Sequence, residues 1–367
     1  MLKSLAAHVL ACVLSVSAFA ATKQEIQEGV KAKVAEGMEK YHVPGVSIAV
    51  IEHGAISWAQ GYGVAEAGST KPVTADTMFQ AASISKPVAS TATLRLVQRG
   101  KLSLDTDVNE YLKSWKVPDN EFTTEKRVTL RRIMSHSAGL TIHGFPGYET
   151  GTPLPTVPQI LDGQPPANTK PVRVEAVPGS RFNYSGGGIT IMQLLICDVT
   201  GKAFPDFMRE MVLGPLHMTH STYQQPLPDS LAASAATAHN REGQPLKGKW
   251  HVYPEMAPAG LWTTPSDLAR FAISLQKAQL LSQDMTSQML TRQIADVGIG
   301  IMLQGTGENE YFLHGGDNAG FHAIMLASIN GGYGAVIMTN SDGGVKLWQE
   351  VMNTIASEYA WPDLKRF

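Results

Sequence analysis

The sequence predicts an α/β fold in which an antiparallel sheet is flanked by helices and carries an inserted, mainly helical lobe. Three observations support this prediction: a hairpin pattern near the start of the chain, a second hairpin pattern near its end, and a middle part rich in helices and loops. We therefore expect residues 21–82 and 255–367 to form one α/β sheet domain. Residues 83–254 then form the helical lobe.

The first sheet segment follows a helix. Apolar residues recur at helical spacing over residues 26–41, and Pro44-Gly45 ends that pattern. Residues 46–51 and 56–62 are two β-rich runs separated by a short turn, which is typical of a hairpin.

The second sheet segment lies close to the end of the chain. Residues 321–329 and 333–340 flank Asn330-Gly331-Gly332, a strong signal for a hairpin turn. A closing helix is expected from about residue 346 to residue 359.

The middle of the chain contains a proline-rich segment, residues 141–180, with eight prolines. So many prolines argue against long regular elements in this segment. Long irregular segments in compact enzymes often act as lids or substrate walls, and a solvated excursion is the alternative.

The chain begins like a secreted protein. An apolar stretch from Leu5 to Val16 is followed by a small-residue pattern with Ala18 and Ala20, which indicates a signal peptide, residues 1–20, cleaved after Ala20. The expected location is periplasmic or secreted. Lipid attachment at Cys12 is the alternative, although it would leave an unusually short leader. Cleavage leaves Cys197 as the only cysteine, so no intramolecular disulfide is expected.

The composition limits the kinds of partner. The net charge is −2 and 43% of the residues are hydrophobic, so the chain can bury a large core but offers no basic surface for nucleic acid. No segment after the leader approaches the roughly 20 apolar residues that a transmembrane helix needs. A small neutral or modestly charged substrate is the expected partner.

The first candidate for chemistry is the pair Ser83 and Lys86. Residues three apart share a helix face, so a desolvated Lys86 amine could accept the Ser83 proton and make the hydroxyl a nucleophile. The motif is weak alone, because Ser274 and Lys277 repeat it. That second copy lies in an amphipathic helical pattern and is interpreted as the solvent-facing side of a helix, whereas Pro87 after Lys86 suits a first helical turn.

The second candidate is Tyr184, which is followed by Ser185, three consecutive glycines and an apolar helix. A phenol on such a loop could exchange a proton with an amine or a leaving group, and Gly186–Gly188 would let a substrate approach the backbone. The alternative is a tyrosine that only packs on a glycine turn.

The third candidate is a strand that contains His314, Gly315 and Gly316. Its edge could lie along an acyl group and donate a backbone N–H to an oxyanion, while His314 offers a hydrogen bond or a positive charge. The glycines could equally mark a bulge.

Taken in this order, the three motifs resemble the serine β-lactamase and penicillin-binding protein-like family, in particular its branch of class C β-lactamases, D-aminopeptidases and esterases. The resemblance covers nearly the whole chain after the leader. It also includes three looser segments: residues 43–50, 133–140 and 259–268. It implies a β-lactamase/transpeptidase-like fold with the active site between sheet and helical lobe.

The resemblance also implies roles. Ser83 would be the nucleophile, Lys86 its base partner, and Tyr184 would shuttle a proton between them and the leaving group, with either Lys86 or Tyr184 as the acylation base. An acyl-enzyme would form and be hydrolysed by water. No metal and no organic cofactor is implied.

The strand motif would complete the site. His314, Gly315 and Gly316 would replace the family's Lys-Thr-Gly, and the backbone N–H groups of Ser83 and Asp317 would form the oxyanion hole.

Two departures from the family pattern bear on the substrate. Gly186 stands where the lactamases carry the asparagine of Tyr-x-Asn, and His314 stands where they usually carry lysine. We therefore expect an ester, a D-amino-acid amide or a peptidoglycan-like substrate rather than efficient β-lactam hydrolysis. A true lactamase and a non-turnover penicillin-binding sensor or structural homologue are the alternatives.

A histidine pair, a glutamate and a cysteine outside the three motifs could also carry chemistry. His217 and His220 have a spacing that could suit a metal, but nothing nearby completes a site, so a polar loop is expected. Glu255 either faces the cleft or carries surface charge. Cys197 is expected in the core.

Overall fold

The computed structural model describes residues 22–367. The predicted signal peptide, with its cleavage after Ala20 and the alternative at Cys12, lies outside these residues. The helices are α1 (Lys23–Tyr41), α2 (Ser85–Gln98), α3 (Val108–Tyr111), α4 (Leu130–Met134), α5 (Val157–Asp162), α6 (Gly186–Thr200), α7 (Phe204–Met208), α8 (Asp229–Ala232), α9 (Met256–Ala259), α10 (Pro265–Gln276), α11 (Gln283–Met289) and α12 (Gly344–Glu358). The strands are β1 (Gly45–Glu52), β2 (Ala55–Gly63), β3 (Phe79–Gln80), β4 (Tyr148–Glu149), β5 (His251–Val252), β6 (Trp262–Thr263), β7 (Met302–Gln304), β8 (Tyr311–Asn318), β9 (Phe321–Ser328) and β10 (Gly334–Thr339). A π-helical turn, Arg209–Leu213, follows α7.

A six-stranded sheet with the order β2-β1-β10-β9-β8-β7 forms the centre of the fold. Every neighbouring pair is antiparallel, with Ile48 opposite Ile337 between β1 and β10. Strands β9 and β10 are buried along their whole length, because helices cover both faces of the sheet. The sheet is thus assembled from both ends of the chain, as predicted.

Helices α1 and α12 cover one face of the sheet. Val34 of α1 and Leu347 of α12 are fully buried and share an apolar cluster with Ile48 of β1. Helix α1 begins with a capping box between Thr22 and Glu25, and His42 closes it in a left-handed conformation with φ of 53°.

Helix α10 covers the other face, and here one prediction was wrong. Ser274 does not face solvent: it is 2% exposed, and its hydroxyl donates a hydrogen bond to the carbonyl of Phe271 at 2.7 Å. The reason is that α10 is enclosed over most of its circumference, so that only Ser266, Arg270 and Gln276 within it are not buried.

The other predicted elements are confirmed. The two hairpins correspond to β1–β2 and β9–β10, and the opening and closing helices to α1 and α12. Residues 141–180 contain only the short strand β4 and the short helix α5, as their prolines predict. Within residues 22–367, no helix combines the length and the apolar character needed to cross a membrane.

Candidate active site

Ser83 lies in a tight turn between the sheet and the helical part of the chain. The turn Ala82–Ile84 links β3 to α2, and Ala81 before it donates a backbone hydrogen bond to the carbonyl of Leu261 at 2.8 Å. Ala82 has a positive φ of 48°, a conformation that costs a non-glycine residue about 1 kcal/mol. This bend leaves Ser83 partly exposed while its neighbours are buried.

Lys86 lies directly beside Ser83. Its Nζ is 2.8 Å from the Ser83 Oγ and donates a second hydrogen bond to the carbonyl of Pro258 at 2.9 Å. The side chain is enclosed by protein, with Lys86 only 2% exposed, and this burial lowers its pKa to about 7. A large fraction of the amine is therefore neutral near pH 7 and able to accept a proton.

Tyr184 approaches the same pair from the start of α6. Its ring centroid is 5.0 Å from the Lys86 Nζ. Burial raises the pKa of Tyr184 above its ordinary value, and the contact with the Ser83 hydroxyl opposes this shift only in part. The phenol therefore remains protonated at neutral pH and is a proton donor.

The glycines after Tyr184 serve helix packing, which differs from the expected role of letting a substrate approach. All three are buried in the first turn of α6. A Cβ on Gly186 would lie 2.9 Å from the ring of Phe145, and a Cβ on Gly187 would lie 2.8 Å from the carbonyl of Thr141. The space that a side chain at position 186 would fill is thus occupied by the proline-rich segment.

His136 supports Tyr184, although no motif in the sequence marks it as a functional candidate. Its ring centroid lies 4.2 Å from that of Tyr184, its Nδ1 accepts the backbone N–H of Ser185 at 3.2 Å, and its carbonyl accepts that of Asn183 at 2.7 Å. Burial lowers the pKa of His136 well below the usual range, which keeps Nδ1 available as an acceptor. In the sequence, His136 is included only in residues 133–140, one of the looser segments of the family resemblance.

His314 lies on β8 across the cleft, with its ring centroid 6.3 Å from that of Tyr184. Burial and the neighbouring Lys86 lower the pKa of His314 to about 3, which favours a hydrogen bond over a positive charge, the two contributions expected from this residue. Its Nδ1 is 2.7 Å from the carbonyl of Gly315, which can only accept. Nδ1 therefore carries the proton, and Nε2 is left as an acceptor.

Contacts from Gly316 and Asn318 dock β8 against the segments that surround the Ser83 turn. A Cβ on Gly316 would lie 2.2 Å from the carbonyl of Ala81, so only glycine allows this approach. The amide of Asn318 donates to Gln80 at 2.8 Å and to the carbonyl of Ala259 at 3.1 Å. The side chain of Asp317, between them, is 82% exposed.

The resulting cleft has a volume of about 820 Å³. Ser83 and Tyr184 lie on its floor, β8 residues His314–Asn318 form one wall, and residues 143–146 form another. The proline-rich segment therefore contributes a wall of the cleft, one of the two interpretations that the sequence left open. The structure thus brings every predicted site residue to one place: Ser83, Tyr184 and His314–Asp317 line the cleft, and Lys86 lies beneath it.

The remaining residues considered in the sequence do not line the cleft. Glu255 is neither in the cleft lining nor at the surface: it is fully buried, and its carboxylate oxygens have no hydrogen-bond partner among the described residues. In residues 22–367, no group of three or more His, Cys, Asp or Glu side chains is placed to hold a metal, His217 and His220 included. Cys197 is partly buried against the core, and burial raises the pKa of its thiol to about 11.

Curated relatives align with most of this chain at low identity. Protein flp of Staphylococcus aureus strain N315 is 22% identical over 342 residues, which cover 86% of this chain and 63% of that protein. Unguisins hydrolase ungD' of Aspergillus campestris is 30% identical over 260 residues, covering 66% of this chain and 46% of that protein. The chain thus spans less than two thirds of the length of these relatives.

Solved structures share the fold. An octameric penicillin-binding protein homologue from Pyrococcus abyssi has a TM-score of 0.74 at 21% identity, covering 93% of this chain and 79% of that one. D-amino acid amidase from Ochrobactrum anthropi has a TM-score of 0.73 at 22% identity, covering 91% and 99%. D-alanine carboxypeptidase AmpC from Burkholderia cenocepacia has a TM-score of 0.73 at 18% identity, covering 92% and 99%. The family profile named Beta-lactamase matches residues 30–356, and this chain belongs to the Beta-lactamase family.

Proposed function

We propose that this protein is a serine hydrolase that cleaves an ester or a D-amino-acid amide through an acyl-Ser83 intermediate. The observation that carries this proposal is the 2.8 Å contact between Ser83 Oγ and the buried Lys86 amine, whose pKa is about 7. A lysine at its reference pKa of about 10.4 could not act as a base at neutral pH, and burial removes that obstacle. Membership of a family of serine hydrolases supports the same conclusion.

In the proposed acylation, neutral Lys86 accepts the proton of Ser83 as Oγ attacks the substrate carbonyl. Tyr184 gives its proton to the leaving group and regains one from the protonated Lys86, consistent with the raised pKa of the phenol. The backbone N–H groups of Ser83 and Asp317 stabilise the oxyanion, and one such donor typically lowers the barrier by about 3 kcal/mol. Water then attacks the acyl-enzyme and releases the acid and Ser83.

The cleft wall supports an ester or amide rather than a β-lactam. Neutral His314 supplies no positive charge for a lactam carboxylate, and position 186 has no side chain to contact an acylamino group. D-amino acid amidase, a neighbour in fold, supports the amide choice by analogy. The leader pattern in residues 1–20 supports a periplasmic or secreted location.

Hydrolysis of 4-nitrophenyl esters and of D-amino-acid 4-nitroanilides tests the proposal. We expect Ser83→Ala to lower kcat/KM by about 1000-fold or more. Ser274→Ala is the matched control, because it removes the serine of the second Ser-x-x-Lys motif, which lies away from the cleft, and should leave kcat/KM close to that of the wild type. Unchanged activity in Ser83→Ala would overturn the proposal.

A further inference from the structure

The cleft has an unusual charge distribution. Among the described residues that line it there is no lysine or arginine, and its carboxylate is that of Asp317. Lys86 lies beneath the cleft lining, hydrogen-bonded to Ser83 and to the carbonyl of Pro258, and it carries no charge in the neutral form that the proposed mechanism requires. His314 is neutral and holds its only N–H in the contact with Gly315. The strand wall therefore offers side-chain acceptors and an anion to a bound substrate.

The Asp317 carboxylate is available to a ligand. Its closest basic neighbour is His322, opposite it on β9, whose Nδ1 lies 3.4 Å from Asp317 Oδ1. Burial lowers the pKa of His322, so that this ring is neutral near pH 7 and does not cancel the charge. With 82% of its side chain exposed, Asp317 can exchange water for a substrate group at little desolvation cost.

The cations of this region line a neighbouring cavity of about 610 Å³ instead. Lys40, Arg241 and Lys346 lie there, and Asp317 and His322 separate that cavity from the cleft. Lys40 is already paired with Glu350 at 3.0 Å. None of these three cations lines the cleft, whereas Asp317 lines both cavities.

The position of Asp317 along β8 also places it next to the proposed oxyanion hole. Its backbone N–H is one of the two oxyanion donors proposed above, and Gly316 beside it packs against Ala81 and Ala82. The Asp317 side chain lines the same cleft as Ser83, so a charged group next to the substrate carbonyl would share the cleft with this carboxylate.

We propose that Asp317 selects substrates that carry a free ammonium group near the scissile carbonyl and disfavours those that carry a carboxylate there. This inference rests on the proposed acyl-Ser83 mechanism and narrows its substrate class to amino-acid amides and esters with a free amine. Because Asp317 is largely exposed, an ion pair strengthened by a hydrogen bond is expected to favour the amine form by about 3-fold to 10-fold in kcat/KM.

The test compares three 4-nitroanilides that differ only at the amine: D-alanine, N-acetyl-D-alanine and N-succinyl-D-alanine, with 4-nitrophenyl butyrate as a neutral ester. We expect the wild type to prefer the free amine over the acetylated form by about 3-fold or more, and the succinylated form to be the poorest. In Asp317→Asn the ratio between amine and acetyl forms should fall to about 1, and in Asp317→Lys the succinylated form should gain relative to the amine. Ratios within one variant are compared, because a general loss of activity cancels in them.

Asp342→Asn is the matched control. Asp342 lies on the other side of His322, with Oδ1 3.8 Å from Nε2, and lines the neighbouring cavity and not the cleft. The same change of charge there should leave the amine-to-acetyl ratio unchanged. An equal fall in both variants would show a general field effect and would overturn the role of Asp317.

The outcomes separate this inference from the function on which it rests. Ser83-dependent hydrolysis of the ester together with no preference for the amine, or with an Asp317→Asn ratio equal to that of the wild type, would overturn the inference alone. Hydrolysis of none of the four compounds would overturn the proposed function and this inference with it. Because Asp317 is largely exposed, both of its variants are expected to fold, which their thermal melting curves check.

Discussion

The imidazole ring of His136 lies against the phenol ring of Tyr184, with the two centroids 4.2 Å apart. The same histidine binds the backbone on both sides of the tyrosine, through its carbonyl to Asn183 and through Nδ1 to Ser185. Tyr184 is therefore fixed by its neighbours as well as by its own packing. A small displacement of the phenol would misplace the proton that it is proposed to give to the leaving group.

Replacing this support should lower turnover. We expect His136→Asn to reduce kcat by about 10-fold to 100-fold with a smaller effect on KM, since the ring contact is lost while asparagine tolerates the positive φ of 55°. Steady-state kinetics on an ester and on an anilide measure this change. A larger loss for the anilide, whose leaving group needs the proton more, would distinguish positioning of Tyr184 from a general structural effect, which would affect both equally.

The pH dependence of activity tests the state of Lys86. Because the neutral amine is the proposed base and its pKa is about 7, kcat/KM for a neutral ester should rise with pH and reach half its maximum near that value. Lys86→Arg should lose about 100-fold to 10,000-fold, because a guanidinium stays protonated. Lys277→Arg in the second motif is the control. A rate that does not change between about pH 5 and pH 9 would contradict this role.

The same burial of Lys86 predicts a dependence of stability on pH. The pKa of the folded state, about 7, lies below the unfolded reference of about 10.4, so the unfolded chain binds more protons between these values and stability contributed at this site rises with pH. Lys86→Met removes this dependence. The wild type should therefore gain stability over Lys86→Met as the pH rises from about 7 to 10. The difference between their free energies of unfolding should change by several kcal/mol, about 4 at most. Urea unfolding at several pH values measures the difference, and a constant difference would be contrary to expectation.

The buried carboxyl group of Glu255 should give the opposite dependence of stability on pH. Burial raises its pKa to about 7, above the unfolded reference of about 4.3, so its contribution to stability is fully present below the unfolded value and is lost as the pH rises through the folded value. Glu255→Gln should therefore gain in stability relative to the wild type by about 2 to 3 kcal/mol between about pH 5 and pH 8. Thermal melting of both proteins across this range checks it. If the difference in melting temperature between the two proteins stayed constant across this range, Glu255 would keep one protonation state.

Most of the fold could be predicted from the sequence, because its main strands and helices are marked by patterns of neighbouring residues. The hairpins at β1–β2 and β9–β10 were predictable from β-rich runs and turn residues, and α1 and α12 from helical spacing. Ser274 was misjudged because periodicity shows one apolar face of a helix but not how many neighbours enclose it. Its burial depends on the packing of α10, which is a tertiary property.

The site was predictable where chemistry follows from spacing. Ser83 and Lys86 are three residues apart, and their contact is local. The neutral state of His314 and the support from His136 depend instead on burial and on residues distant in sequence, so no local pattern contains them. The same holds for Gly186, whose missing side chain makes room for Phe145.

The central claim is the covalent intermediate on Ser83. The most direct measurement is the intact mass of the protein, acid-quenched during turnover of a 4-nitrophenyl ester and followed by peptide mapping, for the wild type, Ser83→Ala and Ser274→Ala. An acyl group on Ser83 in the wild type and in Ser274→Ala, absent from Ser83→Ala, is the predicted result. An acyl group on another residue, or turnover that persists in Ser83→Ala, would contradict the mechanism.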